Sequence, residues 1–261
     1  MLRPEIEYVR KLAEENARVD GRGFEEIRPL ELEVNVYPKA EGSCLVKLGN
    51  TSVAVGVKMS VDEPFKDTPN EGILIVNAEF PPIASPEFEP GPPGEEAIEL
   101  ARIVDRGIRE SGAIDFEKLC IKEGERVWAV FVDIHVLNDD GNLIDASGIG
   151  AIAALLSARI PRYDAEKDEV DYGVREGRLP VNKIPVPVTV GKINGKLLVD
   201  TCKEEEETID ARLTITTIDS GEICAIQKGR GGYFTEEEIK RVFEISVEKG
   251  REIREIIKNK V

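Results

Sequence analysis

Between Leu197 and Ile215 the sequence reads LLVDTCKEEEETIDARLTI and carries six carboxylates, Asp200, Glu204, Glu205, Glu206, Glu207 and Asp210. Carboxylates at this density suit a hard divalent cation, or the protonation of a leaving group. A second group is cationic. Arg102, Arg106 and Arg109 recur at helical spacings of four and three, which puts them on one helix face, opposite Ala97, Ala101, Val104 and Ile108. Such a stripe either meets a phosphate backbone or pairs with the acids beside it, Glu99, Asp105 and Glu110. His135 is the only histidine, which excludes multi-histidine metal sites and leaves one candidate for a serine-histidine triad. Its place in an alternating apolar run favours a plain strand residue. Cys44, Cys120, Cys202 and Cys224 lie far apart with no CxxC pair and read as ordinary buried thiols.

The elements that must position these residues follow from periodicity. Pro4 to Ala17 reads as an amphipathic helix with a proline in its first turn. Strand-like runs follow at Leu30–Tyr37, Cys44–Leu48, Ser52–Met59 and Ile73–Ala78. Pro81 to Gly94 is too rich in proline for helix or central strand and predicts a long surface loop. Glu95–Glu110 is a helix, Arg126–Leu137 a buried strand, and Asp145–Ala158 a helix of small and apolar residues. A polar connection near Asp164–Asp171 leads to a hairpin of Val186–Ile193 and Lys196–Thr201, turning at Asn194-Gly195. A second hairpin turns at Asp219-Ser220-Gly221. Thr235 to Lys258 is a long final helix with Thr235 and Glu238 as a capping box. Hairpins followed by a covering helix in both parts predict an α/β (α+β two-layer) fold. It is divided into a first half, 1–165, and a second half, 166–261.

At 261 residues, with 33% charged and 41% hydrophobic side chains, the chain can bury a substantial core. The net charge of −16 argues against tight, independent binding of nucleic acid, which a local basic patch or a more basic partner must then supply. The opening residues have no signal-peptide core and no window reaches the length of a membrane span. The expected location is therefore the cytoplasm, away from any membrane.

Arg18-Val-Asp-Gly-Arg22, Gly42-Ser43 leading into Val46-Lys-Leu-Gly-Asn-Thr51, Asn70-Glu-Gly72, Glu99-Leu-Ala-Arg-Ile-Val-Asp-Arg106, Val127-Trp128 and Asp140-Gly-Asn-Leu-Ile-Asp-Ala146 occur in an order and spacing that closely resembles the RNase PH family of phosphorolytic 3′-to-5′ exoribonucleases. The resemblance covers nearly the whole chain and implies an RNase PH-like fold of two β-β-α halves, with mixed sheets covered by helices. It is strongest to the non-catalytic branch in the archaeal exosome ring. That implies a catalytic RNase PH-like subunit as partner, alternating in a heterohexamer (a trimer of heterodimers), RNA-binding cap subunits, and RNA itself. No cofactor or resident metal is implied.

Phosphorolysis brings inorganic phosphate against an RNA phosphodiester, so the site must hold two anions and a positioned acid or metal ligand. Active members carry a cradle similar to Asp-Gly-Gly-Thr-Arg-Thr-Ala at a helix start. Leu143 stands here where the hydroxyl belongs and Ile144 where the arginine belongs. Asp145 is expected as an N-terminal cap whose fixed negative charge repels phosphate. The acidic pair of active members matches either Glu204 with Asp210, or Glu206 with Asp210 at a shorter gap. Both alignments replace the first aspartate by a longer glutamate, so this site too reads as degenerate, and no residue is assigned a catalytic role. The resemblance implies that Arg102 and Arg106 contact RNA, with Arg109 beside them. For Arg18 and Arg22 a structural role, capping the preceding helix or pairing with acids, is preferred. Two rivals stand: a divergent but active phosphorylase using Glu206, Asp210 and a metal, and a binding or structural module unrelated to RNA.

Overall fold

Residues 143–157 are small or apolar on every side, and a helix of that kind is stable only when covered all round. The computed structural model, which describes residues 4–261, shows how this is met. The helix, Leu143–Ser157, has an unbroken run of buried residues from Ile144 to Leu155 and lies between two sheets. On one side a methyl built on Gly150 would meet Val55 Cγ2 at 2.8 Å and Val46 Cγ2 at 2.9 Å; on the other, one built on Gly148 would meet Pro187 Cγ at 2.5 Å. The glycines let both sheets approach the helix backbone.

In chain order the helices are α1 (Pro4–Glu14), α2 (Glu95–Glu110), α3 (Leu143–Ser157), α4 (Lys203–Glu206) and α5 (Glu236–Lys258). The strands are β1 (Leu30–Val34), β2 (Gly42–Leu48), β3 (Thr51–Asp62), β4 (Ile73–Glu79), β5 (Cys120–Lys122), β6 (Arg126–Asn138), β7 (Arg159–Asp164), β8 (Glu169–Arg178), β9 (Val186–Ile193), β10 (Lys196–Val199), β11 (Ala211–Thr217) and β12 (Ile223–Gly229). The first sheet runs β1-β2-β3-β6-β4, with β5 also on β6. It is mixed, because β4 pairs with β6 in parallel while the other pairs are antiparallel. The second sheet runs β10-β9-β11-β12. All of its pairs are antiparallel: β9-β10 and β11-β12 are hairpins, which permit only antiparallel pairing, and the chain returns through α4 to lay β11 antiparallel beside β9. Helix α3 packs on both sheets, α2 on β4, β12 and α3, and α5 on β9 and β11. Strand β9 is consequently buried on both faces.

Several boundaries follow from single residues. Helix α1 stops at Glu14, short of the expected Ala17, because Asn16 takes the left-handed conformation (φ 57°) that ends helices. Strand β1 stops at Val34 because Asn35 is also left-handed (φ 58°). The expected polar connection at 164–171 is instead the turn and flank of the β7-β8 hairpin. The division expected at 165 falls in that turn. Asn194 and Gly195 both have positive φ, 46° and 76°, the geometry whose twist matches a two-residue hairpin. Helix α5 carries the expected box: the Glu238 carboxylate accepts from the Thr235 N–H at 2.7 Å, and the Glu238 N–H donates back to Thr235 Oγ1 at 3.3 Å.

Gly150→Val is expected to lower stability by roughly 1–3 kcal/mol, the usual cost of overpacking a filled core, read as a shift of the guanidinium midpoint at unchanged slope. An unchanged midpoint would mean that α3 has room which the packing denies.

Candidate functional site

The sequence-predicted cradle, Asp140 to Ala146, forms the turn from β6 into α3. Its helix begins at Leu143, with Asn142 as the N-cap in the left-handed conformation, φ 56° and ψ 42°, which a short amide side chain tolerates. The loop backbone is held from behind. Arg28 Nη1 and Nη2 donate to the carbonyls of Asp140 and Gly141 at 2.7 and 3.2 Å, and Thr51 Oγ1 donates to the Gly141 carbonyl at 2.6 Å.

On the open side the loop faces a cleft of about 520 Å³, lined by Leu143 and Ile144, by Leu100 and Ile103 of α2, by Phe80 and Phe88, and by Arg212, Gly229 and Arg230 of the second half. Its charged lining is predominantly acidic, with Glu87, Glu96, Glu99, Asp139, Glu206 and Glu207 against Lys203, Arg212 and Arg230. Each of these cations is already engaged. Lys203 Nζ bridges Asp139 at 2.8 Å and Glu87 at 2.9 Å, Arg212 pairs with Glu99 at 3.1 Å, and Arg230 donates to the Glu206 carbonyl at 3.2 Å. Burial alone would lower the Lys203 pKa, but hydrogen bonds to Asp139 and Glu87 outweigh it and raise it above the ordinary lysine value.

The backbone N–H of Asn142, which at such a helix start would meet an anion, donates to Glu206 Oε1 at 2.7 Å. A carboxylate of the chain itself therefore occupies the anion position. Burial pushes the Glu206 pKa up, partly offset by that N–H.

Asp145 differs from expectation. It is neither the N-cap nor a charge facing the cleft; it is the third residue of α3 and its side chain turns inward, accepting from Thr189 N at 2.9 Å, Thr189 Oγ1 at 2.7 Å and Asn142 Nδ2 at 3.0 Å. The physical reason is α3's place between the sheets, which turns this position toward β9 instead of solvent. Complete burial pushes its pKa up to about 7, against the pull of Asn142 and Thr189, so near neutrality Asp145 is not a fixed negative charge.

The acidic run is dispersed. Glu205 is buried and holds Arg18, whose Nη2 and Nε donate to its oxygens at 2.6 and 2.9 Å. Asp200, also buried, accepts from Arg28 N, Nε and Nη2, from Arg22 Nη1 and from Asn142 Nδ2. Burial alone would raise the Asp200 pKa, but Arg28 reverses this and holds it below the usual carboxylate value. Asp210 pairs with Arg10 at 2.7 Å and accepts from Asn194 N at 3.0 Å, while Glu204 is exposed on α4. Of Glu204, Glu206 and Asp210, only Glu206 lines the cleft. Among the described residues no three histidine, cysteine or acidic side chains are grouped to hold a metal.

Helix α2 presents Arg102, Arg106 and Arg109 outward along a shallow groove shared with Val76, Ala101, Asp105 and Glu110. Arg109 pairs with Asp105 at 2.7 Å. Glu99 is drawn instead to Arg212. Arg106 donates to Gln227 Oε1 at 3.1 Å, and Arg102 makes no hydrogen bond or ion pair with any described residue. Arg18 and Arg22 pair with acids as expected. Sequence reasoning missed Arg28, Thr189 and Gln227, since no motif or spacing distinguishes them before the chain is folded; Asn142 lies within the quoted motif, but its contacts to Glu206, Asp145 and Asp200 did not show there.

Two family models match the chain: 3′ exoribonuclease family, domain 1, at residues 26–161, and domain 2 of the same family at residues 183–249. The chain belongs to the 3′ exoribonuclease family. Relatives in that family include the exosome complex component Rrp42 of Pyrococcus furiosus, 55% identical over 255 residues that cover 97% of this chain and 92% of the relative. The protein of the same name from Archaeoglobus fulgidus is 51% identical over 97% of this chain and 95% of its own length. Among solved structures, a chain of the A. fulgidus exosome with RNA bound to the active site matches with a TM-score of 0.90 and 51% identity, covering 96% of each chain. A chain of an archaeal exosome core matches with a TM-score of 0.87 and 47% identity, over 97% and 96%. Rice Rrp46, at 18% identity and a TM-score of 0.69, shares the fold.

Asp145 and Asp200 titrate in opposite directions. The folded pKa of Asp145 lies above its unfolded value, so native Asp145 binds more protons between about pH 4 and 7, and its contribution falls as pH rises through that window. The folded pKa of Asp200 lies below its unfolded value, so its contribution is present above pH 4 and lost as pH falls below it. Asp145→Asn is expected to remove the downward component between pH 4 and 7 in urea unfolding, leaving the acid limb in place. Parallel curves for variant and wild type across pH 4–7 would contradict this.

Proposed function

We propose that this chain is a non-catalytic subunit of an archaeal-type exosome core ring, which pairs with a catalytic RNase PH-like homologue and contributes Arg102 and Arg106 to RNA binding at the shared site. Support for the assembly comes from relatives about half identical over nearly their whole length that are named exosome complex component Rrp42, and from structural neighbours that are exosome core chains.

The observation that carries the non-catalytic reading is the Glu206 carboxylate on the Asn142 N–H at 2.7 Å. It lines the same cleft as Leu143 and Ile144, where a phosphorolytic site needs a hydroxyl and a guanidinium. Inorganic phosphate would have to displace a carboxylate and then face a cleft in which Lys203 and Arg212 are ion-paired and acidic side chains outnumber the cations. With Glu204 and Asp210 outside the cleft lining, neither acidic pair of the two alignments is assembled there, and Glu206 is held by the Asn142 N–H. The cleft therefore acts as architecture, and the arginines of α2 supply the function. Arg102 and Arg106 favour RNA contact because neither has a carboxylate partner among the described residues, whereas Arg109 is neutralised by Asp105. The expected location is the cytoplasm.

With Mg²⁺ and phosphate, this chain alone is expected to release no nucleoside diphosphate from 5′-labelled oligoadenylate, and to raise release by the catalytic homologue above that of the homologue alone. Release by this chain alone would establish the divergent phosphorylase instead. In the assembled ring, Arg102→Ala with Arg106→Ala should weaken oligoadenylate binding and flatten the log K against log salt plot by about 0.7 for each lost contact to single-stranded RNA. An unchanged slope would remove the RNA role of α2.

A further inference from the structure

Arg106 and Arg109 stand about one turn apart on α2 and are held by different chemistry. Arg109 is gripped by a carboxylate, donating Nη2 and Nε to Asp105 at 2.7 and 3.1 Å, with a further bond from Nη2 to the Leu74 carbonyl at 3.1 Å. Arg106 donates Nη1 to Gln227 Oε1 at 3.1 Å, an uncharged acceptor on β12, in the other half of the chain. A guanidinium only donates, so the amide must turn its oxygen toward Arg106. Gln227 is half-buried and stands where α2 meets β12, beside Ile103, Thr214 and Thr216, so its own direction is restricted by packing.

The two tethers differ in what they leave over. A carboxylate fixes a guanidinium and cancels most of its field, whereas an amide oxygen fixes one donor edge and leaves the full positive charge and the remaining N–H groups for an outside anion. Gln227 is the only glutamine in a chain where acidic residues number 51 against 35 basic ones. A glutamate, its near-isostere, would have silenced the arginine. We propose that Gln227 is a positioning residue that aims Arg106 at an RNA phosphate while preserving its charge. This rests on the reading of α2 as an RNA-contacting face.

The test measures equilibrium binding of 5′-labelled oligoadenylate, without phosphate, to the ring assembled with the catalytic homologue, across a salt series. Light scattering confirms that each variant assembles. Gln227→Leu should weaken binding about threefold, the scale of one net hydrogen bond, with an unchanged salt slope because the charge remains. Gln227→Glu should weaken it about tenfold or more and make the slope shallower by about 0.7, the value of one phosphate contact on a single strand. On an Arg106→Ala background, Gln227→Leu should have no further effect. Binding and slope unaltered by Gln227→Glu, while Arg106→Ala weakens binding, would overturn the positioning role alone. Equal weakening by Gln227→Leu with and without Arg106 would also overturn it, since the glutamine would then be acting by itself. Arg106→Ala that leaves binding intact would overturn the RNA-contact reading, and the role of Gln227 with it.

Discussion

A carboxylate buried to 1% exposure is tolerable only if its oxygens are met by fixed donors, and Asp200 is such a group. Arg28 donates to it from its backbone N–H, Nε and Nη2 at 2.8, 2.9 and 2.7 Å, Asn142 Nδ2 donates at 2.8 Å, and Arg22 Nη1 at 3.1 Å. The donors come from the segment before β1 and from the turn into α3, while Asp200 follows β10 in the second half. One anion thus joins three parts of the chain that are distant in sequence. Removing a donor would leave part of that charge uncompensated in a medium that solvates it poorly, so the connection is kept as a unit. Beside it, Arg18 and Glu205 form a second buried pair at 2.6 Å that pins the short helix α4 to the same segment.

This arrangement explains how the loop from β6 into α3 keeps its shape whatever faces it across the cleft. Arg28 and Thr51 hold the carbonyls of Asp140 and Gly141 from the protein side, independently of what faces the cleft. The cleft side is therefore free to change. There Leu143 and Ile144 offer no donor side chain, and Glu206 takes the Asn142 N–H for itself. The backbone and its function are supported by separate sets of contacts.

The same separation holds for charge. A chain with a net charge of −16 repels RNA at long range, yet α2 turns Arg102 and Arg106 outward without a carboxylate partner among the described residues. On the proposed reading, short-range cations here act together with the field of a neighbouring subunit, because an exposed charge reaches only about 10 Å through ordinary salt. Arg109 contributes less to such a field, since Asp105 lies 2.7 Å away.

Much of the scaffold was legible in the sequence because it is written in local rules. The Glu95–Glu110 helix, the Asn194-Gly195 turn and the Thr235/Glu238 capping box depend on residues within a few positions of one another, and each was found where periodicity and turn chemistry placed it. That Leu143 and Ile144 bring no hydroxyl or guanidinium to the turn into α3 follows from residue type alone. The orientation of side chains was not legible. Asp145 was expected to face solvent as a charge and instead points at Thr189 inside the protein, because β9, more than forty positions away, covers that side of α3. The acidic run was read as one cluster, whereas folding divides it among Arg28, Arg18, Asn142 and Arg10. Residue type and spacing determined the elements and which side chains are available to each; which carboxylate meets which donor was decided by contacts between distant segments, which no local pattern encodes.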